Sequence, residues 1–98
     1  MYGLKVRIRR VTETDTYPET VECFLTDYEG QTYFFEDKLT AFTSETDPMI
    51  PGDGIIRCTV LREMPLFTEV DTSLPDGVES TTGRTVFCVS KEDLTEYV

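Results

Sequence analysis

Cysteine, histidine and carboxylates are the residues that do most protein chemistry, and this 98-residue chain has an unusual set of them. It holds three Cys (Cys23, Cys58 and Cys88), no His, and nineteen Asp and Glu against nine Lys and Arg, for a formal net charge of −10. Nucleophilic catalysis by Cys needs a thiolate, favoured by a nearby His, a helix N-terminus or other positive charge. Without His, and with each Cys in an apolar alternating frame, that chemistry has no visible support. Structural zinc asks for close Cys or His pairs and four ligands, which three isolated Cys do not supply. Paired carboxylates for glycoside hydrolysis carry no specificity here, because among nineteen acids some pair always falls at a suitable separation. The sequence therefore reads as a non-enzyme with no cofactor and no metal.

Calcium is the one cation whose ligands, carboxylate and carbonyl oxygens from turns, are present in quantity. Asp71, Asp76 and Glu79 surround Gly77 in one turn-rich stretch, and Glu45, Asp47 and Asp53 lie in the other long connection. Neither stretch has the alternating first, third and fifth ligands of an EF-hand loop. Solvated turn acids are the expected role for most of them.

The elements that must position these residues read as strands. Leu4, Val6 and Ile8 alternate with Lys5, Arg7 and Arg9, giving one apolar and one cationic face over about Gly3 to Val11. The alternation breaks at Arg9-Arg10-Val11, where a bulge would shift the register by one. Val21, Cys23 and Leu25 mark a second strand over about Thr20–Asp27. The Asp27-Tyr28-Glu29-Gly30 turn then leads into a third, Gln31–Glu36, so the two form a hairpin. A long strand over about Ile55–Met64, apolar on both faces at its start, is expected to be central. Shorter strands follow at Leu66–Thr72 and Arg84–Val89. All three Cys are expected in the core, each in step with Val, Ile or Leu. Ser90-Lys91-Glu92-Asp93 has the pattern of a capped helix start, which predicts a short closing helix to about Tyr97 seated by Leu94.

Ninety-eight residues suit one domain, residues 1–98. The expected fold is all-β: a small antiparallel six-stranded barrel, or a two-sheet sandwich, with a short C-terminal helix. The apolar runs are too short to span a bilayer, the N-terminus lacks a secretory pattern, and an odd Cys count suits a reducing compartment, so the expected location is cytoplasmic with no membrane contact.

Four of the nine cations (Lys5, Arg7, Arg9 and Arg10) fall in the first ten residues, which leaves residues 11–98 with five cations against all nineteen acids, a net of −14. Such a field repels nucleic acid, apart from whatever the cationic face of the first strand and a ring from Tyr33-Phe34-Phe35 could hold. That cationic face is better explained by cross-strand pairing with Glu22 and Glu36. The acidic excess points instead to a basic protein partner, because complementary fields raise association rates. In composition alone the chain is similar to small, acidic, His-free immunity proteins and inhibitors of basic nucleases, and no residue role is carried over from them. The expected contacts are the loop acids Glu45, Asp47, Asp53, Asp71, Asp76 and Glu79. Alternative readings are a small-molecule or carbohydrate-binding barrel using Tyr28, Tyr33 and Phe67, or an accessory domain that adds a partner strand at an open sheet edge. The sequence leaves the oligomeric state open.

Overall fold

The computed structural model describes residues 1–96. Its strands are β1 (Tyr2–Glu13), β2 (Thr20–Thr26), β3 (Thr32–Lys38), β4 (Gly52–Glu63), β5 (Thr68–Asp71), β6 (Val86–Val89) and β7 (Leu94–Glu96). Two single 3-10 turns, Leu39–Ala41 and Lys91–Asp93, are the helical pieces among the described residues. None is long and apolar enough to cross a membrane. Every strand pair is antiparallel, in the order β3-β2-β1-β4-β5-β6, with β7 pairing β1. The whole is a seven-stranded half-barrel rather than a six-stranded barrel or a sandwich.

Two long strands make the curl. β4 gives its first half, Gly52 to Cys58, to β1 and its second half, from Thr59, to β5. β1 pairs with β7 over Tyr2–Leu4 and with β2 from Arg7 onward. Register shifts interrupt β1 between Ile8 and Arg10 and between Val11 and Glu13, and interrupt β4 between Val60 and Arg62. The first is the bulge that the doubled arginine suggests. An extra residue on one strand bends it and raises its twist, which is what a sheet needs to fold over its own core. The end strands β3 and β6 meet along a seam that, among the described residues, has no ladder. Two backbone bonds bridge it: Tyr28 N donates to Cys88 O, and Thr81 N donates to Phe34 O, each at 2.8 Å.

The core follows the alternation. Leu4, Val6 and Ile8 from β1, Val21, Cys23 and Leu25 from β2, and Ile56 and Cys58 from β4 point inward beside Phe35, Phe42, Val70, Val78, Phe87 and Val89. Val78 is carried in by the 72–85 connection, which buried hydroxyls hold in place. Thr72 Oγ1 donates to Val78 O at 2.7 Å, and Ser80 Oγ accepts from Arg84 N at 3.0 Å. Among the described residues no buried side-chain polar atom lacks a partner.

Three expectations need correction. The closing helix is absent: Ser90 makes no side-chain cap bond, one 3-10 turn ends at Asp93, and Leu94–Glu96 goes on as β7. The edge of β1 at Tyr2–Leu4 offers backbone partners that a helix would leave unmet, and Leu94 still packs on the core. Tyr97, where that helix was to end, lies outside the described residues. Cys88 is not a core thiol. On β6 the larger Phe87 and Val89 take the inward positions, so Cys88 faces outward and is half-buried. The fifth and sixth strands are also shorter than expected, β5 being Thr68–Asp71 rather than Leu66–Thr72 and β6 Val86–Val89 rather than Arg84–Val89, because Leu66–Phe67, Thr72, Arg84 and Thr85 serve the connections.

The thiols divide accordingly. Burial pushes Cys23 up to about 12, helped by the charges of Glu22 and Asp37. Burial also pushes Cys58 up to about 11, against a small opposing effect of the N-terminal ammonium. Thiolate is the reactive species, so both are inert at neutral pH. Native protein is expected to take up one equivalent of a thiol reagent, at Cys88, and three after denaturation. Mass spectrometry of the labelled peptides checks this, and modification of Cys23 in the native state would contradict the burial.

Candidate functional site

The β2–β3 hairpin and the start of β4 frame a groove of about 830 Å³ at one end of the half-barrel. Its walls are built by pairing. Cα registers of Thr20 with Lys38 and Val21 with Asp37 bring residues 17–19 beside the chain leaving β3. Leu39 N donates to Glu19 O at 2.8 Å and fixes that junction. The 39–46 segment then turns over the core. Phe42 N donates to Leu39 O at 3.0 Å, the Phe42 ring is buried, and Ile55 N donates to Phe42 O at 2.8 Å. Phe42, Gly54 and Ile55 thus form the base, Thr40, Thr43, Ser44 and Thr46 supply hydroxyls, and Tyr17 stands at the rim.

The groove is acidic. Glu19, Asp37, Glu45, Asp53 and Asp76 line it, against Lys38 and Arg57. Some of this charge is already engaged. Arg57 Nε donates to Asp76 Oδ2 at 2.8 Å and its second nitrogen binds Asp76 Oδ1, a two-point pair that closes the far end. Arg7 Nη1 reaches Asp53 Oδ1 at 3.2 Å, but that carboxylate is almost wholly exposed, and such a pair contributes little. Glu45 is exposed, its N–H held by Thr43 Oγ1 at 3.1 Å.

The structure places Glu45, Asp53 and Asp76, from three separate stretches of chain, in this one groove. It does not bring the other three expected contacts into the lining. Asp47 is exposed in the adjacent bend. Asp71 ends β5 and caps its own turn: Oδ1 accepts from Ser73 N at 2.8 Å. That bond, with help from the Ser73 and Thr85 hydroxyls, holds its carboxyl below the usual carboxylate range. Glu79 is exposed on the 72–85 connection between buried Val78 and Ser80. No group of three or more Cys, Asp or Glu comes together to hold a metal among the described residues.

Sequence reasoning passed over Glu19, Asp37, Lys38 and Tyr17. The signal was in the hairpin. A two-strand register counted back from the Asp27–Gly30 turn puts residues 37 and 38 beside 20 and 21, so the two ends of the hairpin had to share one wall. The rings expected for a carbohydrate or small-molecule site lie away from the groove. Tyr28 packs on Phe67 with centroids 5.4 Å apart, and Tyr33 meets Phe87 edge-on at 5.2 Å under the Arg84 guanidinium. None of the three lines the groove. On the outer face of β1 and β2, Arg9 and Arg10 both reach Glu22, at 3.3 and 3.2 Å, as the cross-strand pairing argument expects for Glu22.

No family profile, curated protein or solved structure matches the chain.

Proposed function

We propose that the protein is a non-enzymatic binding module whose acidic groove receives a cationic segment of another protein. The convergence of Glu45, Asp53 and Asp76 with Glu19 and Asp37 in one groove supports the reading most directly. Acids scattered for solubility alone have no reason to gather from four stretches of chain around a hollow with a buried aromatic base. Lys38 and Arg57 leave the groove net negative, and an incoming arginine or lysine side chain competes with Arg57 for Asp76 on defined geometry. Blocking a basic partner's own working surface is the inhibitor or immunity-type role that follows. Three free thiols fit a reducing, cytoplasmic setting for that role.

The test uses a short Lys/Arg-rich peptide as probe, titrated into isotope-labelled protein and followed by amide chemical shifts. Shifts confined to residues 17–19, 37–46 and 53–57 are expected at low salt, with loss of most of the affinity at roughly 0.5 M salt, where the Debye length falls to a few ångströms. Glu45→Lys with Asp53→Lys is expected to weaken binding about tenfold or more, and both sites are exposed enough to leave the fold alone. Shifts spread over the whole acidic surface, or unaffected by the double reversal, would rule out the groove.

A further inference from the structure

The bulge in β1 does more than bend the sheet. It sets two arginines against one acid: Ile8 pairs Cys23 and Arg10 pairs Glu22, so Arg9 is the extra residue, and both guanidiniums converge on the Glu22 carboxylate. Glu22 is largely covered, while Arg9 and Arg10 remain more than half exposed. Over the outer face of β1–β3, Lys5, Arg7, Arg9 and Arg10 stand against Glu22 and Glu36. It is a cationic face on a strongly anionic protein.

Beside Arg9 the same face carries Phe24 and Phe34, centroids 6.3 Å apart and tilted, with Phe34 38 % exposed. Arg9, Phe24, Thr32 and Phe34 enclose a shallow hollow of about 250 Å³. That is below the roughly 300–1,000 Å³ of ordinary small-molecule sites. It suits one aromatic side chain, and the guanidinium and hydroxyl at its rim suit one with a polar end and acidic neighbours. A polyanion is disfavoured by the charge of the rest of the molecule.

The chain itself carries such a group. Tyr17 is fully exposed at the tip of the β1–β2 connection, and Glu13, Asp15 and Glu19 flank it with no cation between residues 11 and 37. We propose that the occupant is a second copy of this chain: Tyr17 of one copy seats between Phe24 and Phe34 of the other, and the acids beside it face Arg9 and Arg10. The hollow spans β1, β2 and β3, and the tyrosine lies in the β1–β2 connection of the same three-stranded unit, so two such units laid antiparallel about a twofold axis make the contact twice. Exposed aromatic anchors with a charged rim are what concentrates energy in small interfaces. The association does not depend on the acidic groove having a peptide ligand.

Sedimentation equilibrium of the purified chain, with no peptide added, tests this over a wide range of protein concentration. The weight-average mass is expected to rise toward twice the monomer at low salt, with the association weakened at roughly 0.5 M salt. Tyr17→Ser, which removes a side chain that the monomer does not pack, is expected to weaken it at least about tenfold, and Phe34→Ser similarly. Arg10→Glu is expected to weaken it, and Arg10→Glu combined with Asp15→Arg to restore much of the loss. Circular dichroism confirms that the variants fold. A chain that stays monomeric at every concentration overturns the proposal. So does an association that Tyr17→Ser and Phe34→Ser leave unchanged, because another surface would then be responsible.

Discussion

Phe87→Ala is expected to remove about 3–5 kcal/mol of unfolding free energy, among the largest losses from any single truncation in this chain. Phe87 is fully buried on β6 and packs on Phe35 of β3 at 5.6 Å and on Tyr33 at 5.2 Å. Those contacts cross the seam where, among the described residues, the half-barrel has no strand ladder, only the Tyr28–Cys88 and Thr81–Phe34 backbone bonds. The Arg84 guanidinium lies over both rings, 4.9 Å from Tyr33 and 5.7 Å from Phe87, so truncation also strips the cation of half its platform. Small domains have about 5–15 kcal/mol in total, so this loss takes roughly a fifth or more of it. Urea unfolding followed by far-ultraviolet circular dichroism measures the change. Phe34→Ala is the comparison: that ring sits exposed on the outer face, and its loss is expected to cost well under half as much. Equal costs for the two would mean that the seam is not closed by side chains.

The parts of this architecture that depend on period two were legible in the sequence. Leu4, Val6 and Ile8 and then Val21, Cys23 and Leu25 declare which face is buried, and the break at Arg9-Arg10 declares the bulge. Where two readings obey the same period, sequence could not choose. On β6, Val86 and Cys88 alternate as well as Phe87 and Val89 do, and only the volume available opposite Phe35 selects the aromatic set. Ser90 to Asp93 has a helix-start composition, yet helix formation is a matter of competing partners. The free edge of β1, ninety residues earlier, decides for a strand. The loop acids show the same limit. Asp71 looks like Asp76 in sequence, but one is spent on its own turn and the other is carried to Arg57 at the groove. Which acids share a site depends on loop paths pinned by single backbone bonds, and no local pattern encodes those.

One such pin is open to direct attack. Gly54→Val is expected to destabilise the fold by about 1–3 kcal/mol and to loosen the groove more than the rest of the molecule. Gly54 is buried opposite Val6, and a Cβ there would lie 2.9 and 3.1 Å from Ile8 Cγ1 and Cδ1 and 3.1 Å from Phe42 O. The cost is steric and falls on two neighbours of different stiffness. Ile8 can shift its terminal methyl, but the Phe42 carbonyl is backbone and already accepts from Ile55 N at 2.8 Å. Valine, with two branches on Cβ, leaves the 39–46 segment little choice but to lift, taking the buried Phe42 ring partly with it. Hydrogen exchange separates this from general weakening. The Ile55 amide should lose protection beyond the global loss, while the Val70 amide, in the β5–β6 region, should track global stability alone. The same lift moves Glu45 away from Asp53, so affinity for the basic peptide should fall in step with Ile55 protection. If Ile55 and Val70 lose protection equally, the 39–46 segment is not held at this point. The groove would then owe its shape to the β2–β3 hairpin rather than to the close approach that Gly54 permits.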